Sequence, residues 1–166
     1  MRPGYDAAVE RLAGSALFDL KGPRGAMADW APALPALPEA ANQRVESGGA
    51  MLCHVGPERW LLRAALDQEA AWQAALRPAQ APPDISIVKV SDTMVFFRVS
   101  GPDAGQVMAV GCPLDLHPSV FGEAAVSFTD YFGLRALVMR CEGGFEVWVE
   151  QSFGQMLADY LGLVLG

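Results

Sequence analysis

Three side chains that could do chemistry stand close together in the second half of this chain. Cys112, Asp115 and His117 lie in the segment Gly-Cys-Pro-Leu-Asp-Leu-His-Pro, which spans residues 111–118. A thiol, a carboxylate and an imidazole are ligands that zinc accepts, and a cysteine near a histidine could be a nucleophile beside its base. This segment is therefore the candidate functional site.

Neither chemistry is complete in the sequence. A structural zinc site needs about four ligands, and the remaining Cys-His pair, Cys53-His54, is adjacent on a predicted strand, so its side chains point to opposite faces. A reactive thiolate needs a positive environment, whereas the charge nearest Cys112 is that of Asp115. We therefore expect no catalytic, cofactor-binding or metal-binding residue in this chain. Cys112, Asp115 and His117 are predicted to form a structural or interface loop.

Composition narrows the possible partners. The net charge is −7, with only 12 Lys and Arg residues scattered singly, which argues against nucleic-acid binding. Apolar residues make up 52% and charged residues 19%, which suggests that a partner covers part of the surface. No apolar stretch is long enough to span a membrane, and the N-terminus lacks the apolar core of a signal peptide. Three widely spaced cysteines indicate a reducing, cytoplasmic compartment.

The sequence predicts two regions. Residues 1–49 are rich in Pro and Ala and are predicted to be an extended N-terminal arm that packs along its own domain or a neighbouring subunit. Residues 50–166 are predicted to be a single α+β domain. Its predicted strands are 51–55, 59–63, 85–90, 93–99, 125–129, 134–140 and 145–150, and its predicted helices are 67–77, 103–110 and 152–164.

A weak duplication is visible in this order of elements. A hairpin followed by a helix occurs at 51–77 and again at 134–164, with Trp60 or Trp148 in the second strand of each hairpin. We therefore predict two interlocked β-α halves with antiparallel sheets and helices on one face.

Four polar residues receive structural predictions. Asp103 is expected to support the start of its helix through the helix dipole, and Ser152 is expected to cap the last helix. Glu146 and Glu150 are expected on a solvated or subunit-facing edge.

Longer strings in the chain resemble a known family. Val-Ser-Gly-Pro-Asp-Ala at 99–104, the string at 110–121 around Cys112, Phe128-Thr129, and Val-Trp-Val-Glu-Gln-Ser-Phe at 147–153 resemble the gamma subunit of heterotetrameric sarcosine oxidase. That family also includes the small subunit of N-methylglutamate dehydrogenase. The resemblance runs from about residue 50 to the C-terminus, and residues 111–118 are its most specific part.

This resemblance implies a fold and a role. The fold would be similar to the folate-binding domain of aminomethyltransferases. The partners would be alpha, beta and delta-type subunits, which would carry FAD, FMN, NAD, tetrahydrofolate and zinc and oxidise an N-methyl amine in one-carbon metabolism. This chain would hold no cofactor and no catalytic residue, and would act in assembly.

An alternative is a small-molecule binding module with its own folate-type pocket. Such a pocket needs a carboxylate for the pterin ring and aromatic walls. Asp115, Phe96, Phe97 and Trp148 are the candidates for it.

Overall fold

The pairing of distant strands divides the chain differently from the predicted boundary at residue 50. The computed structural model describes residues 4–166. Its contacts separate an N-terminal unit, Gly14–Asp92, from a C-terminal unit made of Met1–Ala13 and Thr93–Gly166. Each unit has one five-stranded sheet, in which every neighbouring pair of strands is antiparallel.

Along the chain, the strands of the N-terminal unit lie between the first strand of the C-terminal unit and its remaining four. The C-terminal unit contributes the first strand, β1 (Ala8–Arg11), and the N-terminal unit contributes the next five. These are β2 (Ser15–Lys21), β3 (Arg44–Ser47), β4 (Ala50–Gly56), β5 (Arg59–Ala65) and β6 (Ser86–Lys89). The C-terminal unit then adds β7 (Met94–Ser100), β8 (Val126–Tyr131), β9 (Leu134–Cys141) and β10 (Gly144–Glu150).

Within residues 4–166, four α-helices accompany the strands. The N-terminal unit holds α1 (Arg24–Trp30) and α2 (Glu69–Leu76), and the C-terminal unit holds α3 (Ala104–Ala109) and α4 (Gly154–Leu165). Short 3-10 turns occupy Leu66–Gln68, Pro78–Gln80 and Gln151–Phe153. Among the helices of residues 4–166, none combines the length and the apolar character that a membrane crossing requires.

Four strands and two helices follow one another in the same order in each unit, which confirms the predicted duplication, whereas the fifth strand is β6 after α2 in one unit and β1 before all other strands in the other. The strand order is β6-β2-β5-β4-β3 in the N-terminal unit and β1-β7-β10-β9-β8 in the C-terminal unit. In each unit the second strand of the order leads to a short helix, and the hairpin β4-β5 or β9-β10 is followed by α2 or α4. The fold class is therefore α+β, with antiparallel sheets in duplicated β-α halves.

The two tryptophans that suggested the duplication are not equivalent. Trp60 belongs to the core cluster of its unit together with Leu62 and Ala64 of the same strand face. Trp148 lies on the opposite face of β10 from Val147 and Val149, which belong to the core of the C-terminal unit. Trp60 is the second residue of β5 and Trp148 is the fifth residue of β10, and since side chains alternate along a strand, this difference reverses the face.

The predicted N-terminal arm is instead part of both sheets. Its residues form β1, β2, α1 and β3, and β2 is an inner strand that pairs with both β5 and β6. The prolines at 32, 35 and 38 do lie in a stretch without helix or strand. The structure also divides the predicted single domain, because β6 pairs with β2 of the N-terminal unit whereas β7 pairs with β1 and β10. Local sequence patterns do not carry these distant pairings.

A close backbone approach joins β1 to the start of α3. Gly101 has a φ of +113°, and a Cβ there would lie 2.7 Å from the carbonyl oxygen of Asp6. The Asp103 carboxylate accepts a hydrogen bond from the Asp6 N–H at 2.8 Å, and the Asp103 N–H donates to the Asp6 carbonyl at 3.1 Å. Only glycine at position 101 allows this approach.

Of the two predicted helix starts, that of the last helix is corrected. Asp103 does precede the first residue of α3, where a carboxylate complements the helix dipole, and its side chain binds the backbone at Asp6 and the amide of Gln106. The Ser152 hydroxyl lies 3.3 Å from a Glu150 carboxylate oxygen, and α4 begins two residues later without a side-chain cap.

The second close approach in the C-terminal unit yields a stability prediction. A Cβ on Gly144 would overlap the carbonyl oxygen of Val99 on the neighbouring strand, whereas a Cβ on Gly105 of α3 meets nothing within 4 Å. We expect Gly144→Ala to lower the free energy of unfolding by about 2 kcal/mol, as overpacking does. Gly105→Ala should leave it equal or raise it by up to about 1 kcal/mol, because alanine favours helix.

Urea unfolding followed by circular dichroism measures both variants. Equal unfolding midpoints for Gly144→Ala and Gly105→Ala would contradict the close approach of β7 and β10.

Candidate functional site

The candidate loop connects α3 to β8 and is anchored at its start. The Cys112 N–H donates to the Met108 carbonyl at 2.9 Å, which continues the hydrogen bonding of α3 by one turn. The Phe132 N–H, in the turn between β8 and β9, donates to the Gly111 carbonyl at 3.1 Å. Backbone hydrogen bonds thus hold the first residues of the loop.

Cys112 points into the core of the C-terminal unit. It is 6% exposed and belongs to the same apolar cluster as Val107, Met108 and Tyr131. Burial raises the pKa of its thiol above the ordinary value of 9.0, which favours the protonated form. A nucleophilic cysteine needs the opposite shift. Cys112 therefore behaves as a small apolar core residue, as the sequence indicated.

Asp115 and His117 bind their own loop. The Asp115 carboxylate accepts a hydrogen bond from the His117 N–H at 2.9 Å, which is an Asx turn. The His117 Nδ1 lies 2.7 Å from the Ser119 hydroxyl and 3.3 Å from the Ser119 backbone nitrogen. Both side chains are exposed, and their polar atoms support consecutive turns.

Arg140 fastens the second half of the loop to the sheet. Its Nε donates to the Phe121 carbonyl at 2.8 Å, and a terminal nitrogen donates to the Leu116 carbonyl. The guanidinium also lies over the Phe145 ring, with its carbon 4.8 Å from the ring centroid. Sequence analysis did not identify this residue. An isolated arginine in a strand does not reveal that its side chain will bind backbone carbonyls that lie about 20 residues earlier in the chain.

Phe132 covers the beginning of the loop and was also missed. It has a φ of +51°, a conformation that bulky residues rarely adopt. A Cβ on Gly111 would lie 2.6 Å from the Phe132 ring, so the ring sits directly on this glycine. Its centroid is 4.6 Å from that of Tyr131 and 5.4 Å from that of Tyr160 on α4. The Phe-Gly pair in a short turn was the available signal.

The three candidate residues share a loop without converging on one point. Cys112 faces the core, whereas Asp115 and His117 are exposed and bonded within their turns. In residues 4–166 no group of three or more His, Cys, Asp or Glu side chains could hold a metal ion. Cys53 is buried while His54 stacks on Trp60, with centroids 5.4 Å apart, so the adjacent pair does point to opposite faces.

Glu146 does not lie on a solvated or subunit-facing edge as predicted, because β10 is an inner strand between β7 and β9. It is 7% exposed, and its carboxylate accepts hydrogen bonds from Arg98 at 3.2 Å and from the Trp148 indole at 3.3 Å. The hydrogen bond to Glu146 raises the pKa of Arg98. Arg98 lies opposite Glu146 in the register of β7 and β10, which explains why a charged residue is tolerated there. Glu150, at the end of β10, is exposed.

The candidate residues for a folate pocket are also dispersed. Phe96 and Trp148 meet edge to face, with centroids 5.1 Å apart, and both are buried. Phe97 belongs to the core on the opposite face of β7. Asp115 is in the exposed loop and is bonded to His117. These four residues do not form one pocket wall.

Most of the chain, including the loop, matches the sequence model of a known family. The sequence model of the sarcosine oxidase gamma subunit family matches residues 25–166. The chain belongs to this family. The match begins well before residue 50, so it includes about half of the segment predicted as an arm. A comparison with curated proteins finds none that matches.

Solved structures support the same fold. Heterotetrameric sarcosine oxidase from Corynebacterium sp. U-96, in complex with pyrrole 2-carboxylate, contains a chain that is 23% identical. Its TM-score is 0.78, and the alignment covers 96% of this chain and 86% of that one.

Aminomethyltransferase T of the glycine cleavage system from Bartonella henselae has a TM-score of 0.70 at 16% identity. That alignment covers 96% of this chain and 46% of the aminomethyltransferase. The expected likeness to aminomethyltransferases is therefore confirmed at the level of the fold.

The role of Arg140 in the loop can be tested by substitution. We expect Arg140→Met to lower the free energy of unfolding by about 2 kcal/mol, because two loop carbonyls lose a charged donor. Hydrogen exchange in residues 112–121 should become faster. The control Arg135→Met, on the same strand, removes a guanidinium that lies 4.6 Å over Phe128 and should cost less than about 1 kcal/mol.

Urea unfolding and exchange mass spectrometry give the two readouts. Unchanged exchange of residues 112–121 in Arg140→Met would contradict the claim that this side chain holds the loop.

Proposed function

We propose that this chain is a non-catalytic assembly subunit of a multi-subunit, flavin-dependent N-methyl amine oxidase or dehydrogenase. Membership of the sarcosine oxidase gamma subunit family supports this proposal, as does the likeness to a chain of a heterotetrameric sarcosine oxidase. Alpha, beta and delta-type subunits would be its partners. FAD, FMN, NAD, tetrahydrofolate and zinc would bind to those partners.

One observation about the loop carries the non-catalytic part of the proposal. The side chains that could do chemistry are engaged in holding the loop: Cys112 packs in the core, and Asp115 and His117 bind the backbone of neighbouring residues. Within residues 4–166, His117 bonds to Ser119 and makes no hydrogen bond to Cys112, so the thiol and the imidazole do not pair as nucleophile and base. The loop is better suited to present a fixed surface to another subunit.

The cysteines favour the cytoplasm as the compartment of this subunit. Within residues 4–166 none of Cys53, Cys112 and Cys141 forms a disulfide, and Cys53 and Cys112 are buried. Free thiols persist in reducing compartments, which is consistent with a cytoplasmic oxidase complex.

Purification of the tagged chain from its native host tests this proposal. We expect flavin-containing subunits to co-elute in a fixed ratio to the tagged chain, and the eluate to oxidise sarcosine or another N-methyl amine. The flavin absorbance and the identified subunits give the stoichiometry. A chain that elutes alone as a stable monomer would contradict the proposal.

Folate binding by this chain is the competing function, and calorimetry separates the two. The isolated chain titrated with tetrahydrofolate should give no saturable heat, because the proposed pocket residues are dispersed. The co-eluting complex serves as the comparison, since its folate site is proposed to lie on a partner. Saturable binding to the isolated chain would favour the folate-type module.

A further inference from the structure

Helix α4 carries apolar residues on two faces, and only one of these faces packs against the core of the C-terminal unit. Gly154, Leu157 and Leu161 are buried in the core of the C-terminal unit. Phe153, the residue before the helix, begins a second row that continues with Met156, Tyr160 and Leu163, all exposed. The spacing of three, four and three residues places these four side chains in a line along the helix. We call this line the α4 stripe.

The apolar surface of α4 is wider than packing against one sheet requires. A surface helix needs an apolar face of about 100°. At 100° per residue, the apolar residues of α4 and Phe153 cover roughly 220° of its circumference. Leu163 is 80% exposed, the largest exposure among the large hydrophobic residues of the described chain. A continuous exposed apolar surface of this kind marks an interaction site.

The stripe continues beyond the helix onto the candidate loop. Tyr160 contacts Phe132, whose ring covers Gly111. The neighbouring Val110 is half exposed. The strained backbone of Phe132 thus places an aromatic ring between α4 and the start of the loop. The stripe and this part of the loop form one surface.

The charge of α4 indicates the chemistry of the partner. Asp159 is the only charged residue of the helix, and it borders the stripe. Its carboxylate accepts a hydrogen bond from Gln155 at 2.9 Å, and no Lys or Arg of residues 4–166 pairs with it. The last turn contains no basic residue, so no side chain of α4 itself offsets the negative end of the helix dipole. An apolar segment bordered by Lys or Arg is complementary to this surface.

A second copy of this chain is not complementary. In an antiparallel two-fold pair centred on the stripe, the two Asp159 residues would lie on the same side, roughly 3 Å apart along the axis at 1.5 Å per residue. In a parallel pair, neither Asp159 would meet a basic residue, because α4 has none. Both arrangements leave the carboxylates uncompensated at an apolar interface.

We propose that the α4 stripe, with Phe132 and Asp159, is the surface on which another subunit of the oxidase complex docks through apolar side chains bordered by Lys or Arg. This inference rests on the proposed assembly function and names the surface that performs it. The stripe supplies the apolar contact, and Asp159 selects a basic partner.

Substitution on the stripe tests the inference in the co-purified complex. Leu163→Glu should reduce the amount of flavin-containing subunit captured per tagged chain at least tenfold, because it places an uncompensated charge in the interface. Gln73→Glu on the exposed side of α2 is the matched control, since it adds the same charge to a helix outside the α4 stripe, and it should change capture less than twofold. Circular dichroism verifies that both variants are folded.

A second variant tests the charge. Asp159→Lys should weaken capture several-fold at low salt, and the difference from the wild-type chain should shrink as salt is added. A photo-crosslinker at position 163 should join the chain to a partner peptide that contains apolar residues next to Lys or Arg.

The outcomes separate the inference from the proposed function. If the wild-type chain captures the flavin-containing subunits and Leu163→Glu captures them equally, the stripe is not the interface and the assembly function stands. If the wild-type chain captures no such subunit, both are overturned. If it captures only further copies of itself, and Leu163→Glu abolishes this, the stripe is a homodimer surface and the proposed partner is wrong.

Discussion

The C-terminal unit depends on the close approach of backbone segments at two glycines. At Gly101 the chain passes so near to Asp6 that a side chain would collide with the Asp6 carbonyl, and at Gly144 the strand β10 passes still nearer to Val99. These contacts place β1 and β10 on either side of β7. They also fix where α3 begins, through the paired hydrogen bonds of Asp6 and Asp103. The loop that follows α3 takes its position from this arrangement.

Three further contacts hold the loop. Phe132 covers Gly111, Arg140 binds the carbonyls of Leu116 and Phe121, and Asp115 closes a turn on the His117 N–H. Each contact stabilises a fixed shape of the loop. We therefore propose that the motif most suggestive of chemistry in the sequence has an architectural role, and that α4 beside it is the surface for a partner.

The sequence predicts most helices and strands because their signals, strand-forming residues and turn residues, are adjacent in the chain. The hairpins β4-β5 and β9-β10 combine β-forming residues with Gly-Pro or Gly-Gly turns, and the structure confirms both. The partners of β1 and β2 are distant in sequence, so the same reasoning treated residues 1–49 as an arm. Glu146 was placed on an open edge because its partner Arg98 becomes visible only in the register of β7 and β10.

For the candidate site as well, the sequence predicts what depends on neighbouring residues and misses what depends on distant ones. The sequence located the loop and indicated a buried Cys112, since a lone cysteine among apolar residues is most often a core residue. The roles of Phe132 and Arg140 depend on where β8 and β9 place them relative to the loop, which composition and spacing do not reveal.

The measurement that tests the central claim most directly is the turnover of the assembled complex containing Asp115→Ala and His117→Ala in this chain. If the loop is architectural, turnover of the N-methyl amine per flavin should stay within about twofold of that of the wild-type complex, even if less complex assembles. A tenfold or larger loss of turnover in complex that retains its normal stoichiometry and flavin content would show that these side chains take part in the reaction.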